Sequence, residues 1–403
     1  MKGKVLTIWS LIWLLATVFF VVGGALNLSQ RANGKFPPTD GIVWVQKADG
    51  IYAEKVKPEL SGGRAGIIPG DKLIAISLDG NDFEEVISPS DIQMYLEQAG
   101  LEGNLTYYYQ RTSYSFKDNF YYADLHKIDT LPRWTASIAF LSIVGLIWLG
   151  IGMFVLFKQG SNAPFVVHFA TLCLTAFVFH VYKPIGTGED LDLGIMIMDD
   201  LAFIFFAPVF LHFCWRYPTR NDVFGENRWK TLALYLPALL IFLTTLACYV
   251  SFRAEFMTAW AQLIDKYNIL GNLYRAAQVH FYFGIGIGAG ILIWRFVANK
   301  QTLVRQRLKW TVWGTIAAVF PIVTFQIIKR FINLPEDIYS TALTTLPLAL
   351  IPMSFGYSVV RYRLMDVDVV VRRVLVYALT TIAIAMLIGA IALIFVFLII
   401  GAE

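Results

Sequence analysis

Nearly all of the apolar residues of this chain fall into nine blocks that are long enough to cross a lipid bilayer. A hydrocarbon core of about 30 Å needs about 20 mostly apolar residues in a helix, and the first block, VLTIWSLIWLLATVFFVVGGAL from Val5, has that length. This pattern predicts a polytopic α-helical membrane protein with about nine transmembrane helices. The other eight blocks lie at residues 134–157, 163–183, 194–217, 231–251, 272–297, 310–331, 340–360 and 374–400.

The ends of these blocks divide the chain into three parts. Residues 1–26 form an N-terminal transmembrane anchor, residues 27–133 form a polar insert large enough to fold by itself, and residues 134–403 form a multi-pass region with eight spans. The first block resembles a secretory signal, but its apolar run is longer than a signal core and it has no convincing small-residue cleavage site. We therefore expect the anchor to be retained.

Composition agrees with this organisation. Hydrophobic residues make up 57% of the chain and charged residues 15%, far from the balance of an ordinary soluble domain. The three cysteines, Cys173, Cys214 and Cys248, all lie in predicted spans, so the insert has no disulfide framework and no zinc-type spacing. No cofactor and no metal ion is predicted.

Lysine and arginine residues orient the chain, because cytoplasmic flanks carry the excess of both. With the amino terminus inside, the inner flanks hold sixteen of the 33 basic residues, the outer short loops hold six and the insert holds eleven. The insert is therefore predicted to be extracytoplasmic. The net charge of +4 arises in the inner loops, which favours contact with the anionic lipid of the bilayer and does not indicate a nucleic-acid partner.

The insert alternates apolar and polar residues in the manner of paired strands. GIVWV and IYAEKV flank the turn residues Asp49 and Gly50, a pattern typical of a β-hairpin. A third strand is predicted for DKLIAISL, a capped helix for SPSDIQMYLEQAG, which ends at Gly100, and a last strand for LTYYYQR. This order predicts a small α+β domain at about residues 41–112.

The phrase GGRAGIIPGDKLIAISLDG in this region resembles the signature of bacterial PDZ domains, and the helix and strand after it fit the same order. The resemblance implies a groove in which an extended peptide or protein ligand pairs with a strand, while a loop of backbone N–H groups takes a terminal carboxylate. On the strand at residues 51–56 and on the helix, the groove residues that it implies are Ile51, Tyr52, Ala53, Ile92, Tyr95 and Leu96.

A PDZ-like fold whose groove is filled by its own flanks is the alternative. The aromatic tail of the insert, YSFKDNFYYADLHKIDTLPRW, could supply such a plug or lie on the membrane. The sequence leaves both interpretations open.

Two carboxylates, Asp199 and Asp200, lie inside a predicted span. Asp200 precedes Arg216 by sixteen residues, a rise of about 24 Å in a helix, which places the pair near the outer edge of the hydrocarbon. Ionisable residues at such depth usually face a protein interior or a watery cavity. We predict an outer polar site with Lys183 and Arg275 as partners, or else a static ion pair at the headgroups.

The segment RYRLMDVDVVVRRVLVYAL connects the last two predicted spans on the inner side. It resembles a segment near the end of the membrane region in bacterial sensor histidine kinases of the competence quorum-sensor type (ComP-like), and FLHFCWRYPTRN resembles the end of one of their spans. Their layout, with an early anchor, a PDZ-like outer domain and a polytopic block, is also similar. The residues assigned to this signal-linking segment are Arg361, Arg363, Asp366, Asp368, Arg372 and Arg373.

The sequence contains no catalytic constellation. The kinase family continues into a cytoplasmic dimerisation helix and an ATP-binding domain, and neither is found in residues 1–403. The motifs H-E-x-x-H and G-x-S-x-G and the P-loop are absent as well, and His168, His180, His212 and His280 are scattered singly along the spans. The chain is therefore not expected to be an enzyme.

These observations predict a signal-sensing input module that lacks the catalytic domain of its parent, most simply a sensor histidine kinase that forms a homodimer in the bacterial cytoplasmic membrane. A ligand bound outside would shift the packing of the helices, and the linking segment would carry that shift inward. The alternatives are the input region of a membrane-bound serine phosphatase and a stand-alone membrane PDZ adaptor. A transporter is disfavoured because no inverted repeat with broken helices is visible.

The predicted topology is testable with single cysteines. In intact spheroplasts, a membrane-impermeant maleimide should label Asn81→Cys in the insert but should label Lys300→Cys in an inner connection only after lysis. Protection of Asn81→Cys until lysis would place the insert in the cytosol and contradict the topology.

Overall fold

The computed structural model describes residues 8–47, 49–112, 118–159, 166–217, 228–253, 268–331 and 338–361. Within these residues the chain forms a bundle of long apolar helices and one small domain built on a β-sheet. The insert between the first and second long helices supplies the sheet domain.

Most of the described residues are helical. The helices are α1 (Ile8–Asn33), α2 (Ser61–Arg64), α3 (Pro89–Ala99), α4 (Ala136–Gln159), α5 (Val166–Val181), α6 (Asp190–Arg216), α7 (Arg228–Arg253), α8 (Ile269–Ala298), α9 (Thr302–Phe331), α10 (Ile338–Thr345) and α11 (Leu350–Arg361). A 3-10 turn at Leu346–Ala349 joins α10 to α11.

Seven helical stretches of the described chain are long and apolar enough to cross a membrane. They are Ile12–Asn33, Ala136–Lys158, Asp190–Arg216, Trp229–Ser251, Ile269–Ala298, Val304–Phe325 and Ser340–Val360. Helix α5, with 16 residues, is shorter, and the predicted block at 374–400 lies outside the described residues. The polytopic helical architecture is thus confirmed, whereas a total of nine crossings stays a prediction.

Two glycines of α8, Gly284 and Gly288, allow this helix to pack closely against α6. A Cβ atom on Gly284 would lie 2.7 Å from the Cβ of Ala207, and one on Gly288 would lie 2.6 Å from the ring of Phe210. Small residues at such positions let helix backbones approach closely. At the helix ends that the sequence predicts to face the cytoplasm, called the inner ends, Arg295 of α8 donates hydrogen bonds to the last carbonyl groups of α6, those of Cys214 (3.4 Å) and Tyr217 (2.5 Å).

The domain formed by the insert, called the outer domain because the sequence predicts an extracytoplasmic position, is an antiparallel sheet with one covering helix. Its strands are β1 (Pro38–Thr39), β2 (Ile42–Lys47), β3 (Gly50–Val56), β4 (Lys72–Ser77), β5 (Glu84–Glu85), β6 (Asn104–Thr112), β7 (Asp118–His126) and β8 (Asp129–Thr130). The main sheet has the order β2-β3-β4-β6-β7, with β5 paired to β4, and β1 pairs with β8. The predicted hairpin, third strand, capped helix and last strand are all present.

Alternation along the strands separates a buried face from an exposed one. Leu105, Tyr107 and Tyr109 of β6 point inward and are buried, whereas the residues between them are partly exposed. Helix α3 packs on the inward face, and its N-terminus is fixed by Asp91, whose carboxylate accepts the N–H of Ser88 at 2.9 Å. The inward face therefore forms the hydrophobic core of the domain.

The buried carboxylate of Asp40 fixes the residues around the start of β2 by hydrogen bonds. Asp40 accepts hydrogen bonds from the backbone N–H of Ile42 (2.9 Å), the indole of Trp44 (2.8 Å) and the hydroxyl of Tyr107 (2.8 Å). Burial raises the pKa of Asp40 above its usual range, and these three donors oppose the rise. The carboxylate thereby ties β1, β2 and β6 together.

The aromatic tail of the insert corrects the predicted boundary at residue 112. Residues 118–126 form β7, a strand that pairs with β6 along its full length. Ala123 and Leu125 of this strand are buried in the core, so the tail contributes to the fold of the domain. Over these residues the tail forms a strand of the sheet and not the predicted plug, whereas contact with the membrane stays a prediction.

The first helix is also longer than predicted. Helix α1 continues beyond residue 26 to Asn33, although the added turns are polar. Asn27 and Arg31 in these turns are almost fully buried and hydrogen-bond to the loop after α5. Tertiary partners therefore extend the helix past the end of its apolar block.

The ion pair between Arg111 and Asp71 should stabilise the outer domain measurably. Two hydrogen bonds of 2.7 and 2.6 Å join them, and the Asp71 side chain is only 1% exposed. We expect Arg111→Gln to lower the opening free energy of the β4 amides by about 3 kcal/mol, because it leaves a buried carboxylate without its charge partner. Hydrogen exchange on the full chain in nanodiscs measures this value.

The matched control is Arg64→Gln. Arg64 pairs with Asp129 at 2.9 Å, but its side chain is 47% exposed, and exposed pairs contribute less than about 1 kcal/mol. Equal losses in the two variants would contradict the assignment of Arg111.

Candidate functional site

The structure corrects the position of the predicted peptide groove. Strand β3 pairs with β2 on one side and with β4 on the other, so it is an interior strand and has no free edge at Ile51 and Tyr52. Tyr52 lies on the opposite face from the helix and contacts Lys47 and Lys72. The other five predicted groove residues are buried together in the core: Ile51, Ala53, Ile92, Tyr95 and Leu96. These five side chains stabilise the fold as part of its hydrophobic core.

Tyr95 illustrates this change of role. Its hydroxyl donates a short hydrogen bond to Glu84, a residue of β5. That bond, together with burial, raises the pKa of Tyr95 to about 12. Tyr95 therefore stays protonated and links α3 to the sheet.

The edge strand beside α3 is β2, and the chain itself occupies the start of that edge. Gly41 and Ile42 donate their backbone N–H groups to the side chains of Thr39 and Asp40, so these donors are not available to a terminal carboxylate. The carbonyl of Pro38 accepts a hydrogen bond of 3.4 Å from Gln93 on α3. The arrangement resembles the predicted alternative, a groove filled by its own flank.

The predicted outer polar site divides into two separate contacts. Asp199 of α6 forms an ion pair with Lys183, with an N–O distance of 3.3 Å. Asp200 points elsewhere and accepts a hydrogen bond of 2.6 Å from Tyr249 on α7. Arg275 is exposed and forms no ion pair with either carboxylate in the described structure. Three of the four predicted residues thus connect helices, and Arg275 is not part of the site.

A buried arginine joins this region to the outer domain. The Arg31 guanidinium of α1 donates to the carbonyl oxygens of Lys183 (3.0 Å) and Pro184 (3.2 Å) after α5, and to that of Arg133 (3.0 and 3.2 Å) before α4. Asn27 adds a reciprocal pair with the backbone N–H and C=O of Lys183. We call Asn27, Arg31, Arg133 and Lys183 the outer junction.

Helix α6 also holds the loop of the outer junction. Asp192, in its first turn, accepts the backbone N–H groups of Ile185 (2.7 Å) and Gly186 (2.8 Å). Asp199, on the same helix as Asp192, binds Lys183 in this loop. The loop after α5 is therefore fixed to α6 at two points. The outer junction therefore connects both ends of the insert to α1, α4, α5 and α6.

A second polar cluster lies at the inner ends of three helices, although its histidines looked isolated in the sequence. Arg216 donates to His168 at 2.8 Å, the rings of His168 and His212 are 4.7 Å apart, and His212 contacts the hydroxyl of Tyr235 at 3.1 Å. In the sequence, the four-residue spacing from His212 to Arg216 indicates that these two side chains share one face of a helix. His168 and Tyr235 come from other helices, so sequence alone could not add them.

The structure does not test the predictions on metal ions and on the signal-linking segment. Among the described residues, no group of three His, Cys, Asp or Glu side chains could hold a metal ion. Of the signal-linking segment, residues 361–373, the described part of the chain includes only Arg361, the last residue of α11.

Comparison with known proteins gives no family assignment. No protein-family model matches the chain, and no curated protein matches it.

The ion pair at Asp199 predicts different effects for two neighbouring substitutions. Asp199→Asn should lower the thermal unfolding midpoint in nanodiscs by a few degrees, since a half-buried pair contributes about 1–2 kcal/mol. Asp200→Asn should leave the midpoint almost unchanged, because an amide oxygen can still accept the hydroxyl of Tyr249. Equal shifts in the two variants would contradict a specific contact between Asp199 and Lys183.

Proposed function

We propose that this chain is the signal-sensing input module of a bacterial membrane signalling protein. The outer domain receives an extracytoplasmic ligand, and the helices pass the resulting change toward the cytoplasm. The observation that supports this proposal most directly is the outer junction, in which one buried guanidinium binds both the end of the insert and the loop after α5.

The outer junction is suited to signal transmission because breaking any single one of its buried hydrogen bonds has a high free-energy cost. Arg31 is 5% exposed, and each hydrogen bond to a charged group contributes about 1.5–3 kcal/mol. A displacement of Arg133 with the outer domain either moves Lys183 and Pro184 with it or leaves carbonyl oxygens unpaired. Two alternative packings of the helices, selected by a ligand, fit this arrangement better than gradual deformation.

The finer assignment follows from the sequence. We propose a PDZ-like outer domain in the extracytoplasmic space, an amino terminus inside, and a sensor histidine kinase as the parent protein. The basic inner flanks, the glycine-rich PDZ-like phrase and the kinase-like linking segment support this assignment. In this scheme the linking segment delivers the signal to a cytoplasmic output.

Transcript profiles test the input role without knowledge of the ligand. In the bacterium that carries the gene, we expect Arg31→Gln at the native locus to change a set of transcripts that the deletion strain also changes, because the substitution uncouples the outer domain from the helices. Arg64→Gln, which removes an exposed arginine from the same domain, should reproduce the wild-type profile. Immunoblots of membranes establish that the variants are equally abundant.

An Arg31→Gln profile identical to wild type at equal abundance would contradict the input role. So would a deletion strain without transcriptional change. Either result would favour a membrane adaptor that recruits outer proteins without a signal.

A further inference from the structure

The outward face of the β6–β7 pair carries four aromatic rings in contact. Tyr108 lies opposite Tyr122 with ring centroids 5.0 Å apart, and it stacks on Phe120 at 5.7 Å. Phe83 covers the same rings at 5.5 Å from Tyr122. Phe120 is 54% exposed and Tyr122 is 65% exposed. We call these four residues the aromatic face, and exposed apolar patches of this kind mark binding surfaces.

Carboxylates flank the aromatic face on two sides. Residues directly opposite on paired strands share a face, and the row Glu85, Ala75, Tyr108 therefore places Glu85 beside the rings. On the other side, Asp124 accepts a hydrogen bond of 2.8 Å from Thr106 and remains exposed. The face thus combines ring surfaces with negative charge, which is the combination that attracts organic cations.

The loop before Phe83 adds to the negative charge. Asp79 accepts the backbone N–H groups of Asn81 and Asp82, and these bonds lower its pKa to about 2. Lys72 shares the outward face, but its ammonium turns to Asp49 and to the ring of Tyr52. The charges next to the aromatic face therefore favour a basic partner.

The aromatic face continues to an edge strand that has no lysine, no proline and no bulge. Natural sheet edges carry lysine, proline, bulges or short strands that prevent pairing with another chain. Strand β7 has nine residues, contains neither lysine nor proline, and pairs with β6 in unbroken register. Among the described strands β6 is its sole partner. By contrast, β2 at the other edge has six residues, a bulge after Val43 and Lys47 at its end.

We propose that β7 and the aromatic face bind an extended basic segment of a partner protein. The segment adds as the next strand of the sheet, so its main chain pairs with the edge of β7. Lysine or arginine side chains at alternate positions then lie beside Tyr122 and Phe120, near Asp124. The inference rests on the proposed function, since it specifies the ligand of the outer domain.

Binding of defined peptides to the full chain tests this proposal. In phosphatidylcholine nanodiscs, an acetylated and amidated octapeptide of alternating Lys and Val should bind about tenfold more tightly than an octapeptide of the same composition in two blocks, because alternation places every lysine on one face of the added strand. An alternating Glu and Val peptide should not bind. Fluorescence anisotropy of labelled peptides measures Kd.

Two variants separate the aromatic face from the rest of the strand. The double substitution Phe120→Ser with Tyr122→Ser should weaken binding of the alternating Lys peptide by about tenfold or more. Tyr121→Ser is the matched control and should change Kd much less, because Tyr121 lies on the opposite face, where it stacks on Tyr109 and meets only the valine side chains of the peptide. Hydrogen exchange should show protection of the amides at residues 118–126 when the peptide is bound.

Several results would overturn the proposal. They are the absence of binding by the alternating Lys peptide, equal affinity for the two Lys peptides, and equal affinity in the double variant and in wild type. Protection of residues 42–47 in place of 118–126 would move the ligand to β2 and leave the proposed function intact. Burial of the aromatic face in lipid, detected when a water-soluble maleimide fails to label Tyr122→Cys, would also overturn it. The transcript test at Arg31 does not depend on β7, so the two proposals can fail separately.

Discussion

The bond network of Arg31 constrains the rest of the structure more than any other contact. Its guanidinium nitrogens satisfy carbonyl groups from segments that lie 102 and 152 residues away in the chain. A buried positive charge is costly unless hydrogen bonds compensate it, so the helix ends, the loop after α5 and the linker before α4 must meet at this point. These bonds hold the two ends of the insert close together at the bundle.

The two edges of the outer sheet have different consequences for recognition. At β2, Thr39 and Asp40 use the donors that a terminal carboxylate would need, and Pro38 lies against α3. At β7, the strand is long and regular, with aromatic rings on its outward side. The PDZ resemblance predicts recognition at β2, whereas among the described strands β7 combines a long regular edge with exposed rings.

Sequence predicted the elements that depend on local chemistry. The helix from Pro89 was recognisable because Ser88, Asp91 and Gly100 mark its ends within the segment itself, and the apolar blocks follow from length and hydropathy alone. Strand order could not be predicted, since an interior strand such as β3 and an edge strand such as β2 share the same alternation. The partners of Arg31 and Asp199 depend on helix contacts far apart in sequence, which a single sequence does not show.

Helices α6 and α8 are fixed to each other at both the middle and the inner end. Gly284 and Gly288 bring their backbones together, and Arg295 binds the final carbonyl groups of α6. A helix of 27 residues spans about 40 Å, with Asp192 holding the outer loop at its far end. A tilt imposed on that loop would therefore reappear as a sideways displacement of both helix ends at the opposite membrane surface.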